Sequence, residues 1–121
     1  MLIVQGGIND IVQGRDPTVA AANLRRMVQR GKQLGLRVVL ANVLPWNNGW
    51  PDAEPVIRRL NELVSEIARE EEVALLPFHD TLEDPERPGR MREELTYEGD
   101  HPNEDGYRLL AGVVVRELAR R

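Results

Sequence analysis

The sequence predicts an α/β domain in which a parallel sheet is flanked by helices on both faces. Three short apolar runs, Leu2-Ile3-Val4-Gln5, Leu36 to Val43 and Val73 to Pro77, alternate with longer segments of near 3.6-residue apolar spacing. The middle run is almost continuously apolar, which is expected of a strand covered on both faces. The 121 residues, 41% hydrophobic and 30% charged, have the composition of a single globular domain spanning residues 1–121.

The first strand ends at Gly6-Gly7. Asp16-Pro17 starts a helix, with an acceptor at the N-cap and a proline at the first helical position. That helix runs to about Gly35, its C-cap, with Val19, Leu24, Met27, Val28 and Leu34 at helical spacing. The second strand follows, and turn residues make Pro45 to Pro51 a loop. A second helix spans Ala53 to Glu71 with the stripe Val56, Leu60, Leu63, Val64 and Ile67. The third strand follows it. Asp84 to Thr96, rich in proline and charge, is expected to be irregular. The last helix runs from Asp105 or Gly106 to Arg121, burying Leu109, Leu110, Val113, Val114 and Leu118.

Several functions are disfavoured. The chain has no cysteine, so disulfides, thiolate metal sites and a Cys nucleophile are excluded. A net charge of −4 argues against nucleic-acid binding. Arg25, Arg26, Arg30 and Lys32 lie at helical spacing among acids, as on a solvated face. No apolar run reaches the roughly 18 residues of a membrane span. No basic segment or cleavage site marks a signal peptide, so a cytoplasmic location is expected, with secretion open if a leader precedes Met1. The histidines His79 and His101 lack metal-ligand spacing, which disfavours zinc; no metal or cofactor is implied, although the plentiful acids leave a carboxylate site for magnesium open.

In parallel sheets of this kind, working groups gather in loops beyond the carboxyl ends of the strands. Three loops qualify: Gly6 to Asp16, Val43 to Asp52 and Phe78 to Asp105. In the third, Glu98-Gly99-Asp100-His101-Pro102-Asn103 can fold so that a carboxylate three residues earlier meets one imidazole nitrogen. The other nitrogen is then free to take a proton. The competing reading is a capping loop, with Asn103 or Asp105 as the cap and His101 incidental. In the first, Gly6-Gly7-Ile8-Asn9-Asp10 places an amide where it could donate to a developing oxyanion, or is simply a Gly-Gly turn.

Together these segments resemble the SGNH hydrolases, the GDSL-type esterases and lipases. Gly7-Ile8-Asn9-Asp10 is similar to that family's Gly-x-Asn-Asp block. Glu98 to Asn103, followed by Gly106-Tyr107, is similar to its Asp-x-x-His-Pro block, with Glu in place of Asp. Leu44 to Asn47 and Leu76 to Asp80 fit its connecting regions. The resemblance implies a three-layer, flavodoxin-like sheet and a Ser-His-Asp/Glu mechanism on small acyl or acetyl esters. In it His101 is the general base, Glu98 its orienting acid and Asn9 an oxyanion donor, with Gly7 and Trp46 against the substrate. Asp100, adjacent to His101, is the less favoured partner because neighbouring side chains diverge.

The resemblance also implies that the chain corresponds to the C-terminal two-thirds of such an esterase. The family's Gly-Asp-Ser block, with the nucleophile, and its Gly-bearing second block find no match here. The one serine, Ser65, sits mid-helix, and Thr18, Thr81 and Thr96 have no better context. Three readings follow: a piece of an active esterase, an inactive relative kept for binding or assembly, or an unrelated α/β binding module. The first two leave Leu2 to Gln5 at an open sheet edge, a template for a homodimer or for an N-terminal partner fragment. Trp46 and Trp50 either line a pocket or cover the core, and His79 is expected to be structural.

Overall fold

In a computed structural model that describes residues 1–120, the three apolar runs form one parallel sheet. Its strands are β1 (Leu2–Val4), β2 (Val38–Ala41) and β3 (Ala74–Leu76), in the order β1-β2-β3. Leu2 pairs with Val38, and Val39 with Ala74. The strands are shorter than the apolar runs because pairing stops where the backbone turns away to bonds outside the sheet. Helices α2 (Pro17–Gln33) and α3 (Glu54–Glu70) cover one face, and α5 (Glu104–Leu118) covers the other. Alternation along β2 feeds both cores. Val38 and Leu40 pack with Leu24, Val28, Leu60 and Val64, whereas Val39 and Ala41 pack with Leu82, Met91 and Leu110. The expected three-layer arrangement of sheet and helices is observed.

Asp16 caps α2 as expected, its carboxylate accepting from Thr18 N at 2.9 Å. At the other end Gly35 takes φ +76°, and Leu36 N and Gly35 N close back onto Gly31 O and Lys32 O, a Schellman-type stop. The buried face of α2 differs from the expected stripe. Leu24 and Val28 are buried with Ala20, Ala21 and Gly31, but Val19, Met27 and Leu34 are exposed. The cause is close packing on a narrow sheet. A Cβ on Gly31 would lie 2.7 Å from Val38 and 2.9 Å from Leu2, so small residues face the strands. Met27 and Leu34 overhang the β1 edge and flank an open groove with Leu2 and Ile3.

Leu60, Val64 and Ile67 of the α3 stripe are buried, while Val56 and Leu63 are partly so. In α5, Leu110 and Val113 are buried, but Leu109 and Leu118 are exposed, contrary to expectation. The buried position near the end of α5 belongs to Glu117, because Arg37 Nη2 donates to its carboxylate and its carbonyl, each at 2.6 Å. The predicted extension of this helix to Arg121 ends at a residue outside those described. Asp84 to Thr96 is not irregular. It forms the hairpin β4 (Glu83–Asp84) and β5 (Arg87–Met91), then a 3-10 turn over Glu93–Leu95. Met91 and Leu95 plug the α5-side core from this segment. Two five-residue helices, α1 (Ile8–Val12) and α4 (Phe78–Leu82), occupy stretches expected to be loop.

Candidate active site

All three sheet strands end on the same side, and their outgoing loops are held there by asparagine side chains. Asn61 of α3 exchanges two hydrogen bonds with Val43: Val43 N donates to Oδ1 at 2.8 Å, and Nδ2 donates to Val43 O at 3.0 Å. The side chain thus continues the ladder where β2 has no further strand partner. Asn47 does the same for buried Met91, accepting from its N at 2.6 Å and donating to its O at 3.0 Å. Buried Asn42 accepts from His79 N at 2.7 Å, and Gln5 donates to Asn42 O at 2.9 Å.

The β1 loop turns at Gly7, whose φ of +111° favours glycine. A Cβ there would lie 2.5 Å from Leu60 Cδ2. Gly7 O accepts from Ile11 N, starting α1, so Asn9 falls in the first turn of that helix. Asp10 is turned away and pairs with Arg15 at 3.1 Å. Asn9 is exposed, and none of the hydrogen bonds among the described residues uses its amide.

The third loop folds on itself around Thr96. Its hydroxyl donates to His101 O at 2.6 Å and accepts from Gly99 N at 3.0 Å, and Thr96 bridges to Pro102. Inside this loop Glu98 Oε1 accepts from His101 N at 2.7 Å and stands 2.7 Å from His101 Nδ1. The second hydrogen bond fixes the imidazole tautomer with Nδ1 protonated when the ring is neutral, leaving Nε2 as the acceptor. The Glu98 carboxyl is held below the usual glutamate range, chiefly by the bond from the His101 ring and further by the bonds from backbone N–H groups. Asn103 follows as the N-cap of α5, accepting from Gly106 N at 3.0 Å. Asn103, and not Asp105, is thus the cap, and the segment that caps the helix also carries His101.

A cavity of about 420 Å³ opens between these loops, lined by residues that include Asn9, Trp46, Asp100 and His101. The size suits a small ligand. Of the residues singled out from sequence, the structure brings Asn9, His101 and Trp46 to this cavity, with Glu98 behind His101. For Trp46 the two alternatives are not exclusive: it packs on the α2–α3 core and also lies on the cavity wall. Gly7 is not on the wall, where Gly6 is found instead. Trp50 is elsewhere, beneath the Arg90 guanidinium at 5.3 Å. His79 lines a separate cleft beside Asp80 and Glu83, whose ligand atoms all lie within 4.8 Å of one another. Ile8, Val12 and Tyr107 also line the main cavity, and sequence reasoning missed them. Ile8 and Tyr107 stand within the two motif segments and Val12 just beyond the first, and that was the only signal.

The Glu98 shift fixes a pH dependence. A lowered carboxyl pKa means that the pairing with His101 is present above the ordinary glutamate pKa and is lost as pH falls through the folded value. In a ¹³C NMR titration the Glu98 carboxyl is expected to titrate below a free glutamate side chain, and His101→Ala is expected to raise its midpoint. An unchanged midpoint in that variant would contradict the pairing.

The fold recurs in solved structures. A member of the lipolytic G-D-S-L family from Veillonella parvula superposes with a TM-score of 0.84 at 25% identity, covering 98% of this chain and 63% of that one. A GDSL-like lipase from Bacteroides thetaiotaomicron gives 0.89 at 19% identity, covering 98% and 61%. A variant of an acetyl-xylooligosaccharide esterase from Geobacillus gives 0.74 at 19% identity, covering 98% and 59%. The chain thus spans somewhat less than two thirds of each of these proteins. Among curated proteins none matches. The profile of the GDSL-like lipase/acylhydrolase family matches residues 1–109, nearly the whole chain, and this chain belongs to that family.

Proposed function

We propose that this chain contributes the proton-transfer and oxyanion half of a carboxylic ester hydrolase of the Ser-His-Glu type. The observation that carries the reading is the His101 Nδ1–Glu98 Oε1 pair at 2.7 Å on a cavity shared with Asn9. In this mechanism a serine hydroxyl attacks the ester carbonyl and passes its proton to His101 Nε2. The Asn9 amide donates to the oxyanion that forms, and His101 returns the proton to the departing alcohol. Water then releases the acyl group by the same steps. Glu98 keeps the ring oriented and stabilises its protonated form. The substrate class is a small acyl or acetyl ester.

The nucleophile in this proposal comes from outside these residues. Ser65 is exposed on α3, in the cleft that holds His79. Thr18 is bound to the Asp16 cap, Thr81 donates to Pro77 O, and Thr96 is committed to the His101 loop. That same observation favours a second reading, a chemically inactive member that keeps the fold for binding or assembly. A short-chain chromogenic ester separates the two. The 121 residues alone are expected to be inactive, and a polypeptide that adds a strand carrying Gly-Asp-Ser ahead of Leu2 is expected to hydrolyse it. In the active form His101→Ala is expected to lower kcat/KM by about 10²–10⁴-fold and Asn9→Ala by about 10²–10³-fold. Turnover by the 121 residues alone, or activity that survives His101→Ala, would contradict the proposal.

We further propose that β1 pairs with β1 of a second copy across a two-fold axis. Strand β1 is the sheet edge; its own Ile3 is exposed, and exposed Met27 and Leu34 of the α2 region lie beside it. Light scattering at micromolar concentration is expected to show a dimer that Ile3→Lys dissociates. A folded monomer for the parent chain would contradict this pairing, and dissociation of the dimer by an added N-terminal segment would identify that segment as the native occupant.

A further inference from the structure

We infer that Asp100 is a positioning residue: gripped by the Trp46 indole and the Asn48 amide, it locks the His101–Glu98 pair to the loop that walls the cavity. The inference rests on the reading of His101 as the base, and it assigns to Asp100 a part in neither proton transfer nor oxyanion binding.

Asp100 adjoins His101 in sequence, yet its bonds run elsewhere. Its Oδ1 accepts from Trp46 Nε1 and from Asn48 Nδ2, both at 2.6 Å. Asn48 Nδ2 also donates to Glu98 O at 2.7 Å, and Asn47 N donates to Gly99 O at 2.9 Å. Three successive residues, Glu98 to Asp100, are therefore pinned by three others, Trp46 to Asn48. The approach is tight. Gly99 has φ +95°, and a Cβ on it would sit 3.2 Å from Asn47 Cβ. Burial cannot supply this order, because the His101 and Glu98 side chains are 73% and 50% exposed. Short bonds to a carboxylate can, since charge assistance makes them among the stronger hydrogen bonds in proteins. Trp46 is itself anchored, packed on the α2–α3 core, so the grip connects an exposed dyad to a rigid layer.

The test is the Glu98 carboxyl titration by ¹³C NMR on the 121-residue chain, which needs no ester and so is independent of whether the chain is hydrolytic. Asp100→Ala and Asp100→Asn remove the same charge, but only Asn keeps an acceptor oxygen for Trp46 and Asn48. The Glu98 midpoint is expected to lie higher in Asp100→Ala than in Asp100→Asn. Trp46→Phe and Asn48→Ala, which change no charge, are expected to raise it above the parent value. If Asp100→Ala does not fold, these two variants decide. Equal midpoints in Asp100→Ala and Asp100→Asn, or parent values in Trp46→Phe and Asn48→Ala, would overturn the inference. Hydrolysis that survives His101→Ala in the serine-bearing form would instead overturn the reading of His101 and leave the grip standing.

Discussion

Strand β2 is enclosed on every side, and the remainder of the fold is arranged to keep it so. β1 and β3 occupy its two edges, α2 and α3 cover one face, and α5 with the β4–β5 hairpin covers the other. Every residue from Val38 to Val43 is buried. Such a strand cannot have polar backbone left over where the ladder stops, because an unpaired buried amide or carbonyl costs about 1–3 kcal/mol. Asn61 meets that requirement at Val43. The chain then leaves the sheet in a fixed direction, and Trp46 to Asn48 arrive where they can hold the His101 loop.

The site therefore has a rigid side and an exposed side. Asn9 depends on Gly7, which lets the chain reverse against Leu60 and begin α1. Glu98 and His101 sit on an open loop whose order comes from hydrogen bonds: Thr96 inside it, Asn103 and α5 behind it, and the Trp46–Asn48 turn beside it. In the proposed mechanism the imidazole must present one ring nitrogen to a reacting group, and it then needs this kind of support, because misorientation of about 1 Å can cost some 10²-fold in rate.

Much of this was legible in the sequence, for physical reasons. Continuous apolar runs require cover on both faces, so the parallel sheet followed from Leu36 to Val43. Asp16-Pro17 and Gly35 carry their own cap chemistry. Glu98 and His101 are three residues apart, near enough for the loop to bring them together. Other features depend on tertiary context. Met27 and Leu34 have helical spacing but overhang a sheet that stops at β1. Glu117 occupies a buried position where its carboxylate is bonded by Arg37, eighty residues away in sequence, with Arg120 near its other oxygen. The hairpin before Leu95 is hidden by its prolines and charges, and α1 and α4 are too short to show periodicity. The bonds of Asp100 to Trp46 and Asn48 join segments more than fifty residues apart, and no local pattern announces them.

The central claim is that Asn9 and His101 face one cavity and bind one ligand there. Titration of the isotopically labelled chain with butyrate, a small acyl product, tests it directly by NMR. The Asn9 side-chain amide and the His101 ring are expected to shift together along a single binding curve, with the Trp46 indole following. Separate curves for Asn9 and His101, or shifts confined to one of them, would contradict the claim.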